Sequence, residues 1–285
     1  MSSLALAEPR VLEPVSVDDP VGYAALCDKI VAERGFRCGS YKERCLLRRI
    51  GVRLRATGVH TFEAYMRVLD ADPREWDRLL DALTINVTKF FRNWEVWASL
   101  AERVIPALWA RPDATLRVWS AGASSGEEAY SLAALFHRHA EQLGELDRLS
   151  RVRILGTDID RDSLAAAERG VYAESAFADT PPELRERYFT PAPAARVVPE
   201  LRQLVTFARR DLLREMPPEG PWHLIACRNV VIYFDRESQE DLFVRFHDAL
   251  APGGVLFLGK VETLLGPVRS LVAPIVQRDR IFRRP

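Results

Sequence analysis

The chain has 285 residues, 48% of them hydrophobic and 28% charged, a length and balance suited to a folded protein of two domains. Lys and Arg number 40 and Asp and Glu number 40, so the formal net charge is zero, which argues against a nucleic-acid binder with a basic footprint. Cys27, Cys38, Cys45 and Cys227 form no C-x-x-C pair and no apolar run approaches the ~18 residues of a membrane span, so no metal site is expected and a reducing cytoplasm is the expected compartment.

Residues 1–20 read as a flexible leader broken by Pro9, Pro14 and Pro20. Residues 21–85 carry helical periodicity and predict a small all-helical domain. Leu26, Ile30 and Val31 share one face, Leu47, Ile50 and Leu54 a second, and Phe62, Tyr65, Met66 and Leu69 a third, with breaks at Gly35, Gly39, Gly58 and Pro73. The second helix, expected over 41–56, carries Arg44, Arg48, Arg49, Arg53 and Arg55 with Glu43 as its only acid. Such a face is either simply solvated or a dock for an acidic helical partner. Pairing within the helix cannot neutralise it, so Arg48, Arg49 and Arg53 are the candidate substrate-binding residues. Residues 86–112 are expected to be a linker and connecting helix.

From residue 113 strands and helices alternate, the pattern of an α/β doubly wound sheet. Strands are predicted at 116–120, 152–157, 204–208, 222–227 and 254–258, with a final hairpin at 270–273 and 276–282 adding an antiparallel strand. Helices are predicted at 127–143, 161–169 and 238–250, the last ended by Pro252-Gly253-Gly254 through a left-handed glycine. The polar, proline-bearing stretch 173–210 interrupts the alternation and is expected to form an inserted small β-subdomain.

The richest stretch is Val118-Trp119-Ser120-Ala121-Gly122-Ala123-Ser124-Ser125-Gly126-Glu127-Glu128, a strand and glycine turn leading into a helix that opens with two acids. A helix N-terminus after such a turn ordinarily attracts phosphate. Here two carboxylates stand in that place, which suits a nucleoside carrying positive charge instead, and S-adenosylmethionine is such a ligand. Asp158 ends the next strand, where an acid holds ribose hydroxyls in a Rossmann-like unit; the alternative is an Asp that caps the following helix.

Further motifs follow in a fixed order: Asn86-Val87-Thr88-Lys89-Phe90-Phe91-Arg92, the glycine turn, Thr157-Asp158-Ile159-Asp160, Gly170-Val171-Tyr172, Arg187-Tyr188-Phe189 and Cys227-Arg228-Asn229-Val230-Val231-Ile232-Tyr233-Phe234. Together they resemble the CheR-type chemoreceptor (protein-glutamate) O-methyltransferases across residues 22–283. The resemblance implies a Rossmann-like class I methyltransferase sheet, a helical N-terminal domain and an inserted β-subdomain. It implies S-adenosylmethionine as cofactor, S-adenosylhomocysteine as product, and glutamates on the cytoplasmic helical bundle of chemoreceptors as acceptors; a monomer is expected. By motif position, cofactor contacts fall on Asn86, Thr88, Arg92, Gly122, Glu128, Asp158, Asp211, Leu212, Arg228 and Asn229. Arg92 and Tyr233 take the catalytic positions.

Three positions depart from the family pattern: Asp211 stands for the usual Asn, His223 for an Asp, and Lys260-Val261-Glu262 for a Gly-His-Ser-Glu-like run. The loop 190–199 is short and lacks glycine, so a tether to a receptor's C-terminal pentapeptide is not expected. Two other readings stand beside the enzyme: a non-catalytic module that senses S-adenosylmethionine or its product, and a class I methyltransferase acting on a small molecule or nucleic acid.

Overall fold

A computed structural model describes residues 19–84, 88–191 and 193–285. The chain divides into two compact units, Met1–Ile85 and Asn86–Pro285. Residues 1–18 of the expected leader and Asn86 fall outside the described residues, while Asp19 and Pro20 of that stretch already belong to the start of the first helix.

The first unit contains α1 (Pro20–Arg34), α2 (Glu43–Thr57), α3 (Phe62–Ala71) and α4 (Pro73–Leu83). Asp19 starts α1 by accepting the Gly22 N–H at 2.8 Å, and Pro20 sits where a helix needs no N–H of its own. Leu26, Ile30, Leu46, Ile50, Leu54, Tyr65, Leu69 and Leu79 fill the core. Val31 departs from the expected face: it is 40% exposed, because Leu26 and Ile30 at the i, i+4 spacing already define the buried stripe. Leu46, rather than the half-buried Leu47, is the deeply buried residue of its turn.

In the second unit α5 (Trp94–Arg103) and α6 (Ile105–Trp109) precede β1 (Leu116–Ala121). Val96, Trp97, Leu100, Leu108 and Trp109 belong to the same apolar core as β1, so the stretch expected to link two domains is part of the second unit's interior. Then come α7 (Glu127–Leu143), β2 (Val152–Asp158), α8 (Arg161–Arg169), β3 (Val171–Tyr172), α9 (Pro182–Tyr188), β4 (Ala195–Arg196), α10 (Pro199–Arg202) and β5 (Val205–Arg209). The chain ends with β6 (Trp222–Cys227), α11 (Arg236–Ala249), β7 (Leu250–Leu258), α12 (Val268–Leu271), β8 (Ala273–Val276) and β9 (Ile281–Arg283). The seven-stranded sheet has the order β5-β2-β1-β6-β7-β9-β8. β5, β2, β1, β6 and β7 are parallel and β9 is antiparallel to both of its neighbours. Every residue of β6 is buried, as expected of a parallel strand covered on both faces.

Several boundaries differ from the sequence reading, most of all in α11, β7 and the final hairpin. α11 ends at Ala249 with an extended cap at Leu250, so Gly253 does not terminate it. Leu250 already pairs with Trp222, and the register jumps before Val255 pairs with Leu224; Gly253, with φ of 73°, turns the chain inside that irregularity. The final hairpin is shifted toward the C-terminus, because α12 occupies residues expected as strand. Among the described residues of 173–210, β4 pairs antiparallel with β3, which lies just before the expected insertion, beside α9 and α10, while β5 returns to the main sheet.

Candidate functional site

The strand order reverses between β1 and β6, since β1 leads to β2 on one side and β6 leads to β7 on the other. Open parallel sheets bind ligands beyond the carboxyl ends of the strands at such a switch point. The carboxyl ends of β1, β2 and β6 and the segments that follow them carry Gly122, Glu128, Asp158, Arg228, Asn229 and Tyr233 from the sequence reading.

The turn after β1 is built to exclude phosphate. The Gly122 and Ala123 N–H groups both donate to the Thr157 carbonyl at 2.8 Å, Ser124 N–H to Asp158 Oδ2 at 2.7 Å, and Gly126 N–H to the Ala123 carbonyl at 2.9 Å. These donors are spent inside the protein. Gly122 is demanded twice, by its φ of 85° and because a Cβ there would lie 2.5 Å from a Val230 methyl carbon.

Asp158 thus shapes the turn it was expected to serve. Its Oδ2 fixes Ser124, and its Oδ1 accepts the Asp160 N–H at 3.0 Å. Asp160, not Asp158, caps α8 by accepting the Asp162 N–H at 2.9 Å. Each Asp158 oxygen retains a further acceptor site for a ribose hydroxyl. Burial raises its carboxyl pKa against the opposing pull of those backbone donors.

The two acids of α7 separate. Glu127 turns to Ser125 Oγ, which donates to its oxygens at 3.0 and 2.8 Å. Glu128 reaches back to β1, where Ser120 Oγ donates to its Oε1 at 2.8 Å. Burial pushes the Glu128 carboxyl up to about 7, with the nearby Arg228 and Arg92 charges and the Ser120 hydrogen bond only partly offsetting it and Glu262 adding to it. A buried carboxyl so close to neutrality is completed by a cation, and cationic S-adenosylmethionine fits that charge deficit.

Arg228 is 7% exposed and lies over the rings of Trp97, at 5.0 Å, and Phe257, at 4.8 Å. Its Nη2 donates to the Arg92 carbonyl at 2.7 Å, and Trp97 Nε1 donates to the same oxygen at 3.1 Å. Arg228 therefore braces the Arg92 turn in addition to any cofactor contact. Its Nε and the Ser124 Oγ are buried with no hydrogen-bond partner among the described residues, the polar remainder that a bound nucleoside would meet.

The segment with Thr88 and Arg92, both half-buried, is held in an uncommon shape: Phe91 and Asn93 have φ of 51° and 61°. Phe91 N–H donates to Ser131 Oγ at 3.1 Å, Phe90 N–H to the Ala176 carbonyl at 2.9 Å and Asn93 N–H to Asp179 Oδ2 at 3.0 Å. The last two partners come from the insertion, so that segment fixes the Arg92 turn.

Leu212 is buried, and Asp211 Oδ1 accepts the Leu213 N–H at 2.8 Å, a role an Asn oxygen would also fill. His223 lies on β6 beside Arg117, near the amino end of β1, with Nδ1 accepting the Arg117 N–H at 3.0 Å and Nε2 at 3.4 Å from Asp113. It is thus at the opposite end of the sheet from the glycine turn. Lys260 forms an exposed 2.8 Å pair with Glu95.

The Arg-rich helix needs one correction. Arg53 is not an unpaired surface cation: its Nε and Nη2 donate to Glu75 at 2.9 and 2.8 Å, and Tyr65 Oη donates to the same carboxylate at 2.8 Å. Arg49 Nη1 donates to the Ala82 carbonyl at 2.8 Å. Arg44, Arg48 and Arg55 remain exposed along α2.

Residues 86–274 match the family described as CheR methyltransferase, SAM binding domain, and residues 22–84 match CheR methyltransferase, all-alpha domain. A chemotaxis protein methyltransferase of Salmonella typhimurium is 35% identical over 256 residues, covering 87% of this chain and 85% of the relative. Chemotaxis protein methyltransferase 2 of Pseudomonas aeruginosa is 38% identical over 240 residues, covering 81% and 82%. A 104.1 kDa Rhodobacter capsulatus protein, described as uncharacterized and in the hypE 3'region, is 40% identical over 246 residues, which is 85% of this chain and 25% of that protein. The chain therefore spans a quarter of that relative.

Proposed function

The chain belongs to the CheR methyltransferase family and is an S-adenosylmethionine-dependent enzyme of the chemotaxis type, and on that premise we propose that it esterifies glutamate side chains on the cytoplasmic helical bundle of chemoreceptors. The observation that carries the reading is the set of buried Glu128 and Arg228 with half-buried Asp158 at the switch point, with Arg92 fixed beside it.

The cofactor, when bound, supplies a methyl group on an already activated sulfonium. Asp158 is assigned to the ribose hydroxyls and Glu128 to the positive charge of the methionine portion, with Thr88, Gly122, Asp211, Leu212 and Asn229 lining the remaining contacts. The acceptor glutamate, with an unperturbed pKa of about 4.3, is a carboxylate at neutral pH, so no residue has to remove a proton. Arg92 and Tyr233 hold that carboxylate in line, the kind of alignment worth up to ~7–11 kcal/mol in well-oriented reactions. The carbonyl of Arg92 is anchored twice, by Arg228 and Trp97, which limits the turn's movement.

Arg44, Arg48 and Arg55 give α2 an exposed cationic face suited to an acidic receptor helix, with the half-buried Arg49 beside it and Arg53 engaged internally. Among the described residues no helix is long and apolar enough to cross a membrane. The short loop 190–199 supports action without a pentapeptide tether.

The test is incubation with methyl-labelled S-adenosylmethionine and receptor cytoplasmic fragments from the same genome. Base-labile label on glutamate is expected. Cofactor binding without label transfer to any fragment would favour the sensor module.

A further inference from the structure

Glu262 is 2% exposed and belongs to no helix or strand. Its Oε1 accepts the Val230 N–H at 2.9 Å and the Val231 N–H at 3.0 Å, while Oε2 accepts the Gly259 N–H. One carboxylate thereby joins the end of β7 to the turn after β6. A charge-assisted acceptor of several backbone donors is a strong tie, and among the described residues Glu262 is the partner of the Val230 and Val231 N–H groups.

That turn carries much of the site. It begins with Arg228, passes through Asn229 at φ of 61°, and continues into the short helical turn Val231–Tyr233. Val230 projects against Gly122, where even one added carbon would collide at 2.5 Å. Fixing Val230 therefore fixes the packing partner of the glycine turn as well. Gly259 is matched to the same contact: a Cβ there would fall 2.6 Å from Glu262 Oε2 and 2.8 Å from the Asn229 nitrogen.

We propose that Glu262 is a positioning residue for this enzyme, whose carboxylate holds the Arg228–Tyr233 turn and, through Val230, the Gly122 turn in the shape that receives S-adenosylmethionine. It acts through backbone groups and contacts no reacting atom. The proposal rests on the cofactor site assigned above, yet does not depend on glutamate being the acceptor. Its charge also reaches Glu128, whose titration it shifts upward alongside burial, against Arg228, Ser120 and Arg92.

The experiment titrates S-adenosylhomocysteine into the full chain by calorimetry across pH, since product binding requires no methyl acceptor. Glu262→Gln presents an amide N–H to a backbone donor, and Gly259→Ala displaces the carboxylate while keeping its charge. Each should weaken binding by about tenfold or more, the loss expected when buried donors go unpaired. Glu262→Gln should also move the pH midpoint of binding downward, because one like charge near Glu128 is gone, whereas Gly259→Ala should not. Glu75→Gln, in the other unit, should lower the melting temperature without changing affinity. Wild-type affinity in Glu262→Gln overturns the proposal, as does an affinity loss with the pH midpoint unmoved. If Glu262→Gln does not fold, Gly259→Ala decides alone, and wild-type affinity there is equally fatal.

Discussion

Both units bury glutamates, and Glu75 and Glu128 are treated in opposite ways. In the helical unit Glu75 is 1% exposed and receives two hydrogen bonds from Arg53 and one from Tyr65; burial alone would raise its carboxyl, yet these partners hold it below the ordinary value. In the methyltransferase unit Glu128 is 8% exposed and among the described residues receives one hydrogen bond, from the neutral Ser120, while Arg228 spends its Nη2 on a carbonyl; burial raises the Glu128 carboxyl to about 7. A completed ion pair ties helices together. An incomplete one leaves a charge to be answered by a ligand.

The contrast predicts different losses. The largest belongs to the completed pair: Arg53→Ala leaves Glu75 buried and without its main partner and should destabilise the helical unit by about 3 kcal/mol, read from urea unfolding of the full chain. Affinity for S-adenosylhomocysteine should be unaltered. A stability change within error would mean that Arg53 is a surface cation after all and would return it to the docking face.

Asp158→Ala comes next, with binding of S-adenosylhomocysteine weakened by roughly 1.5–3 kcal/mol through lost charged hydrogen bonds. The same change frees the Ser124 and Asp160 N–H groups, so the glycine turn should loosen, visible as faster amide exchange there than in β6. Unchanged affinity in a folded variant would remove Asp158 from the cofactor site.

The smallest effect is expected on the exposed side of α2. Replacing Arg44, Arg48 and Arg55 with Gln should slow receptor methylation several-fold at low salt, and added salt should slow the wild type more than the variant. Stability should hardly move, because exposed charges contribute about 0–1 kcal/mol each. Equal salt dependence in both proteins would make these arginines a solvated face.

What was readable in the sequence follows the range of the interaction. β6 and α7 were placed residue for residue because a continuous apolar run and glycine-bounded periodicity are local signals. The partner of Arg53 lies 22 residues away on another helix, so a count of acids within α2 could not find it. Glu262 looked like part of a departing motif, since its acceptor role is defined by N–H groups 31 and 32 residues earlier. Asp158 stood at the tip of its strand as expected, but its grip on Ser124 depends on a turn 34 residues upstream. The final hairpin slipped because α12 is a single turn whose apolar Val268 and Leu271 also read as strand.

The incomplete charge at Glu128 is tested most directly by S-adenosylmethionine binding measured from about pH 5.5 to 8.5 in the wild type and in Glu128→Gln. The folded carboxyl titrates near 7, above its ordinary value, so in the free protein it contributes its stability below about 4.3 and loses it as pH rises through 7. Cofactor affinity should run the other way. It should strengthen as pH rises through about 7, with proton release on binding below that point, because the cation selects the carboxylate. In Glu128→Gln the affinity should be weaker at high pH and nearly flat. A wild-type profile that does not change across this interval, or one reproduced by Glu128→Gln, would contradict the assignment of Glu128 to the cofactor's charge.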